Sequence, residues 1–107
     1  MNSDIESSNQ QLNKNQVVLL NKAEIALDTL PTEVKKNVIR VLDCLEEFPN
    51  CSVIQTNKLK SIPNSFIARA GLKYRVIFEF KDRQVTIVDI VNHDRLERFY
   101  QKLKEVI

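Results

Sequence analysis

The stretch from residue 66 to residue 100, FIARAGLKYRVIFEFKDRQVTIVDIVNHDRLERFY, carries the strongest pattern in the chain. Apolar and polar residues nearly alternate between Lys73 and Lys81, and only Ile77 breaks the order. Such alternation is typical of a strand with one buried face. The buried face is predicted to consist of Tyr74, Val76, Phe78 and Phe80.

A second β-branched run, VTIVDIV, lies within Gln84–Asn92, after the short polar break at Asp82-Arg83. Two runs joined this closely predict an antiparallel hairpin. Residues 65–70 are a third strand candidate that turns at Gly71. We expect helices to cover one face of this small sheet, and we interpret the other face as the functional one. That face is predicted to carry the basic residues Arg69, Lys73 and Arg75.

Helical patterns lie on both sides of this sheet region. Residues 22–30 are helical in composition, and Pro31 favours a break before a second helix over residues 32–48. These two helices predict an N-terminal helical hairpin, so the fold class is α+β. Residues 94–106 form a third amphipathic pattern, and Asp94 with Glu97 resembles a capping box. The short apolar run at residues 17–20 fits an edge strand or the start of a helix.

The length of 107 residues fits one domain. Residues 1–15 are rich in Asn, Gln and Ser, so we expect a disordered polar tail followed by a folded domain over residues 16–107. The sequence contains neither a long apolar run for a membrane span nor the pattern of a secretory signal. We therefore expect a cytoplasmic protein without a membrane partner.

Charge divides the chain into two unlike halves. Residues 1–55 hold five Lys/Arg and eight Asp/Glu, a net charge of −3, whereas residues 56–107 hold eleven Lys/Arg and six Asp/Glu, a net charge of +5. A basic second half favours an anionic partner, either nucleic acid or an acidic protein segment. Ordinary scatter of surface charge is the alternative.

Cysteine and histidine are too few for a zinc site. Cys44 and Cys51 do not form a C-x-x-C pair, and His93 is the only imidazole. We interpret the two cysteines as buried or half-buried thiols, and we expect neither a metal nor a cofactor.

Several short motifs together resemble the RelE/ParE superfamily, the small toxins of bacterial type II toxin–antitoxin systems. The motifs are Asn57-Lys58-Leu59-Lys60, F-x-A-R at residues 66–69, Y-R-V-I-F-E at residues 74–79 and the helix LPTEVKKNVIRVLDCLEEFP at residues 30–49. The resemblance covers about residues 17–100. It implies an α+β fold with a helical hairpin against a small curved antiparallel sheet, and a cognate antitoxin as partner.

The resemblance also implies candidate site residues. In the RelE-like branch, which cleaves mRNA in the ribosomal A site, basic side chains on the sheet bind phosphates. By position, the candidate catalytic residues are Arg69, Arg75, His93 and Tyr100, and the candidate RNA-binding residues are Lys58, Lys60, Lys73 and Arg95. Arg is suited to stabilise the pentacoordinate phosphate, because it holds two phosphate oxygens at once.

The sequence departs from the cleaving branch at three places, one of which is the helical pattern that continues past Tyr100 to Ile107. Ile67 occupies a strand position that is basic in its best-known members, and Asp94 separates His93 from Arg95. The function therefore stays open between a ribosome-dependent endoribonuclease, a ParE-like inhibitor of DNA gyrase and an inactive relative that only binds its antitoxin. Structural roles also stay open: a cross-strand pair with an acid such as Asp89 for Arg75, and a core position for Tyr100.

Overall fold

The computed structural model describes residues 14–96. The elements are β1 (Gln16–Leu19), α1 (Asn21–Thr29), α2 (Thr32–Leu45), β2 (Thr56–Lys58), β3 (Ser65–Ala70), β4 (Tyr74–Lys81) and β5 (Gln84–Asn92). The predicted α+β class is confirmed, and so are all three predicted strands. The antiparallel arrangement of α1 and α2 stays a prediction, as does the separation into tail and domain.

The sheet is mixed rather than purely antiparallel. Its five strands run in the order β1-β5-β4-β3-β2, and β1 pairs with β5 in parallel. The short run at residues 17–20 is thus an edge strand, and its parallel direction corrects the expected all-antiparallel sheet. The predicted loop before β3 also contains strand β2, which pairs with β3. Three polar residues, Thr56–Lys58, carry too little pattern to predict this strand.

A tight turn joins β4 to β5, as the hairpin prediction requires. Asp82 and Arg83 have φ of 52° and 63°. Two consecutive residues with positive φ are typical of the turn whose twist matches paired antiparallel strands. The register then runs from Lys81 opposite Gln84 to Tyr74 opposite Asn92.

Both helices contribute to the main core on one side of the sheet, here called the helix face. Val38 and Leu45 of α2 lie in this core with Val76, Phe78 and Ile87 of the sheet, all fully buried. The ring of Phe48 then packs edge-to-face against three strand rings, those of Phe66, Phe78 and Phe80, with centroids 5.0–5.1 Å away. The predicted inward orientation of Val76 and Phe78 is confirmed.

The opposite side of the sheet, here called the back face, is not uniformly basic. Ile67 and Ile77 are paired at its centre, and they form a second buried cluster with Leu59, Val91 and Leu96. The expectation of a basic face is therefore wrong for the middle of the sheet. The physical reason is that apolar residues occur on both sides of β3 and β4, so the sheet is covered twice.

The last residue of the predicted tail belongs to the fold. The Asn15 side-chain amide donates to the carbonyl oxygens of Leu45 (3.1 Å) and Phe48 (2.7 Å). Its backbone N–H donates to the Glu46 carbonyl at 2.7 Å. Asn15 thus binds carbonyls at the end of α2 that have no partner inside the helix.

The two cysteines are joined rather than free. Cys44 and Cys51 form a disulfide with their Cα atoms 5.7 Å apart. Cys44 is buried and Cys51 is half-buried, as predicted, but the prediction that they are free thiols is wrong. The chain continues in hydrogen-bonded turns after α2, such as Asn50 N–H to Glu47 carbonyl, and these turns bring Cys51 back to the helix end.

The C-terminal helix begins one residue earlier than predicted, because helical structure starts at His93. The Asn92 side-chain oxygen accepts a hydrogen bond from the Asp94 N–H at 2.9 Å. Asn92 is therefore the capping residue, in place of the predicted Asp94. Within residues 14–96, no helix is long and apolar enough to cross a membrane.

Candidate nucleic-acid interface

Two arginines are directly opposite each other at one end of the back face. Arg69 of β3 and Arg75 of β4 are register partners, and Val91 of β5 lies beside Arg75. Arg69 is exposed and Arg75 is half-buried. Like charges directly opposite each other destabilise a sheet. The pairing therefore concentrates positive charge where an anion would relieve the repulsion.

The turn between β3 and β4 supplies the acceptors for both guanidinium groups. Arg69 Nε donates to the Gly71 carbonyl at 3.3 Å, and Arg75 Nη1 donates to the carbonyls of Leu72 (3.4 Å) and Tyr74 (2.8 Å). Arg69 also donates to the side-chain oxygen of Gln55 at 3.3 Å. These bonds hold the two side chains toward the same turn.

Gly71 allows this turn to lie against α2. Its φ is +68°, and a Cβ there would come within 2.9 Å of the Asn37 side-chain nitrogen. A residue with a side chain would therefore meet both backbone strain and a close contact.

Lys73 and His93 lie at the same end of the sheet. The His93 N–H donates to the Lys73 carbonyl, which extends the β4–β5 ladder by one pair. Lys73 is the last residue of the turn before β4 and His93 begins the C-terminal helix, so both lie beside the Tyr74–Asn92 pair that ends the ladder. We call Arg69, Lys73, Arg75 and His93 the basic end.

Asp89 is not the partner of Arg75. Its register partner is Ile77, and its carboxylate forms an ion pair with Lys22 of α1 at 3.2 Å. The structural alternative of an Arg75–Asp89 pair is therefore wrong. Val91, and not Asp89, is the register partner of Arg75 in β5.

The remaining predicted residues lie elsewhere. Lys58 pairs with Phe66, so strand alternation assigns it to the helix face at the sheet edge. Lys60 is exposed in the turn that follows β2, and Arg95 lines a groove with Lys22 and Tyr74. None of these three belongs to the row of Arg69 and Arg75. Tyr100 lies outside the described residues.

Gln55 escaped the sequence interpretation, and Gly71 and Asp89 make contacts that it did not include. Gln55 accepts a hydrogen bond from Arg69, Gly71 shapes the turn between β3 and β4, and Asp89 forms an ion pair with Lys22 of α1. Gly71 is the only glycine of the chain, which is itself a signal for a special backbone position. The single acid within VTIVDIV is a comparable signal for Asp89. Nothing in the sequence indicates Gln55.

The basic end has the chemistry for binding a phosphate backbone. Two guanidinium groups and one ammonium group can contact phosphate oxygens, and an imidazole can donate or accept a proton. Among residues 14–96, no group of three or more His, Cys, Asp and Glu side chains could hold a metal ion.

Comparison with known proteins gives a consistent fold. No protein-family model and no curated protein matches the sequence. Among solved structures, the archaeal RelE–RelB complex from Pyrococcus horikoshii matches at 26% identity and a TM-score of 0.63, covering 76% of this chain and 97% of the other. The isolated RelE toxin of E. coli matches at 18% identity and a TM-score of 0.60, covering 87% and 99%.

The YoeB–YefM complex of Staphylococcus aureus also matches, at 15% identity and a TM-score of 0.61, covering 74% of this chain and 97% of the other. At 18% and 15% identity, the matches to the E. coli and S. aureus proteins concern the fold alone. Together the matches define the class: a compact α+β protein of the type found in toxin–antitoxin complexes. This likeness to RelE toxins confirms, at the level of the fold, the resemblance found in the sequence.

Proposed function

We propose that this protein is the toxin of a type II toxin–antitoxin pair, and that it inhibits translation by cleaving mRNA on the ribosome. The observation that carries the proposal is the direct pairing of Arg69 with Arg75 at the end of the back face. A phosphate placed between two guanidinium groups would accept bidentate, charge-assisted bonds from both.

The chemistry of RNA cleavage assigns roles within the basic end. Arg75 and Arg69 stabilise the charge that develops on the pentacoordinate phosphate, and Lys73 contacts a neighbouring phosphate. His93 transfers a proton to or from a reacting oxygen, a role that typically contributes about 10²–10⁴-fold in rate. Lys58, Lys60 and Arg95 lie outside this row, so their part is restricted to binding RNA backbone at a distance from the cleaved bond. Tyr100 keeps its assignment as a catalytic residue from the sequence resemblance. The reaction needs neither metal nor cofactor.

The proposed partners are a cognate antitoxin, mRNA and the ribosome, all in the cytoplasm. Two features support an antitoxin: the fold of the RelE–RelB and YoeB–YefM complexes, and a positively charged surface for acidic residues. The antitoxin would inhibit the toxin by covering Arg69 and Arg75.

The test is induced expression in bacteria, with growth and mRNA primer extension as readouts. The parent chain is expected to arrest growth and to produce new mRNA 5′ ends within codons on translated messages. Replacing both arginines with glutamine should abolish both effects. Lys81→Gln is the matched control, because Lys81 lies on the back-face side of β4, about 20 Å from Arg75 at ~3.3 Å per residue.

Three outcomes separate the candidate functions. New mRNA 5′ ends that disappear in the Arg69→Gln/Arg75→Gln variant support the ribonuclease. Growth arrest with intact mRNA and trapped DNA gyrase would contradict the ribonuclease and support the gyrase inhibitor. If the expressed protein is soluble and binds its antitoxin but growth stays normal, the protein is an inactive relative.

A further inference from the structure

Strand β5 contains one residue more than the part of β4 that it faces. Phe78 is paired with Ile87 and Ile77 with Asp89, so Val88 has no partner in β4. One extra residue in one of two antiparallel strands is a β-bulge.

The bulge changes which side chains of β5 reach the back face. Ile87, before the bulge, lies in the core of the helix face, and so does Ile90 after it. In an unbroken strand, residues 87, 89, 91 and 93 would all share one face. The extra residue instead assigns Val91 to the back-face cluster, together with Val88. His93 follows two residues later, opposite Lys73, to whose carbonyl its N–H donates; in an unbroken ladder Asn92 would take this place.

The apolar residues of β5 cannot choose between these two registers. Val88, Ile90 and Val91 are all apolar and β-branched, and both faces of the sheet have an apolar centre. An unbroken ladder would therefore bury them nearly as well. Hydrophobic pattern specifies register only where one face differs from the other.

Asp89 is the residue that distinguishes the two registers. In an unbroken ladder it would face Val76, which is fully buried on the helix face. A carboxylate in that position would lose its hydration among apolar side chains, which is strongly unfavourable.

In the bulged strand the same carboxylate is satisfied, although Asp89 is only 5% exposed. One oxygen accepts the Ile90 N–H at 2.8 Å, and the other accepts from Lys22 Nζ at 3.2 Å. The Leu20 N–H donates to the Ile87 carbonyl, which attaches the start of α1 to β5 just before the bulge. This attachment brings Lys22 over Asp89.

We propose that Asp89, held by Lys22, is a positioning residue that selects the bulged register of β5 and thereby aligns His93 with Arg75. The link to catalysis rests on the proposed ribonuclease function. The choice of register does not depend on that function, so the two can fail separately.

The first measurement uses Asp89→Val, which removes the carboxylate and supplies a β-branched residue. Backbone NMR contacts in the parent protein should join Tyr74 to Asn92 and Val76 to Ile90, as in the present register. In the variant we expect Tyr74 opposite Val91 and Val76 opposite residue 89. Lys22→Ala is the companion variant, because it leaves Asp89 in place but removes its cation; it should weaken the parent contacts.

The second measurement restores the position of His93 without the bulge. Deleting Val88 from the Asp89→Val variant makes the two strands equal in length, so an unbroken ladder returns Val91 to the back face and His93 to its place opposite Lys73. We expect mRNA cleavage to fall by about 10²–10⁴-fold in Asp89→Val. It should recover most of that loss in the variant that also lacks Val88.

Parent contacts that persist in Asp89→Val would overturn the proposal. The proposal would also be overturned if the Asp89→Val variant without Val88 regained the parent pairing but cleaved mRNA no better than Asp89→Val. Asp89 would then act by its charge and not by setting the register. If Asp89→Val does not fold, the doubly changed protein decides alone. Its failure to fold would assign Asp89 a role in stability only, and its folding with cleavage supports the proposal.

Discussion

Arg69 and Arg75 are direct partners across the β3–β4 ladder, and both guanidinium groups donate to carbonyls of the turn that joins these strands. A sheet gains nothing in stability from two cations in this position. The proposed ligand of the pair is an anionic phosphate, and the predictions below test that proposal together with the contacts around the two arginines.

The first prediction concerns the geometry of the phosphate contact. Arg75→Ala is expected to reduce mRNA cleavage by about 10²–10³-fold, which corresponds to roughly 2.7–4 kcal/mol for losing one donor to developing charge. Arg75→Lys should recover little, because an ammonium group cannot hold two oxygens in one plane. Primer extension after induction measures both. Full cleavage by Arg75→Lys would show that charge alone is sufficient.

The second prediction separates stability from function at Arg69. Arg69→Glu should raise the free energy of unfolding by roughly 0.2–1 kcal/mol, because it converts a like-charge cross-strand pair into an opposite-charge pair. The same variant should lose cleavage, since the new carboxylate repels phosphate. Urea unfolding and growth measure the two effects. Arg69→Gln should be intermediate in stability, and a lower stability for Arg69→Glu than for Arg69→Gln would contradict the expected repulsion.

The third prediction concerns Asn15, which binds the end of α2. Asn15→Ala should lower the free energy of unfolding by about 1–3 kcal/mol, because it leaves the Leu45 and Phe48 carbonyls without this donor. Lys14→Ala is the matched control: its 3.8 Å pair with Glu46 is solvent-exposed, and such pairs contribute about 0–1 kcal/mol. Urea unfolding compares the two.

Truncation gives an independent check of the same contact. Removal of residues 1–13 is expected to leave the thermal midpoint unchanged, because those residues are mostly polar. Removal of residues 1–15 should lower it. Equal midpoints for the two truncations would show that Asn15 contributes nothing.

The fourth prediction concerns Gly71. Gly71→Ala should lower the free energy of unfolding by about 1–2 kcal/mol from its positive φ, with a further loss from contact with Asn37. The double variant with Asn37→Ala should recover only the contact part. Comparing the two separates strain from crowding. If Gly71→Ala is as stable as the parent, the turn between β3 and β4 adapts to the new side chain. A loss of mRNA cleavage in that variant would then show that Arg69 and Arg75 were displaced.

Local patterns in the sequence were sufficient for most of the secondary structure. Alternation over residues 74–81 and the β-branched run 84–92 predicted β4 and β5, because a strand buried on one face requires a period of two. The three- and four-residue steps after Pro31 predicted α2 for the corresponding reason. The row of Arg69 and Arg75 also followed from alternation alone, once the turn at Gly71 was identified.

Tertiary structure decided the features that depend on contacts between distant segments. The parallel direction of β1, the short strand β2 and the apolar centre of the back face all arise from pairing across the sheet. Asn15 meets the end of α2 some thirty residues away. The bulge at Val88 is the clearest case. Its flanking residues are apolar in either register, so the proposed determinant of the register is the contact between Lys22 of α1 and Asp89 of β5, two residues far apart in the sequence.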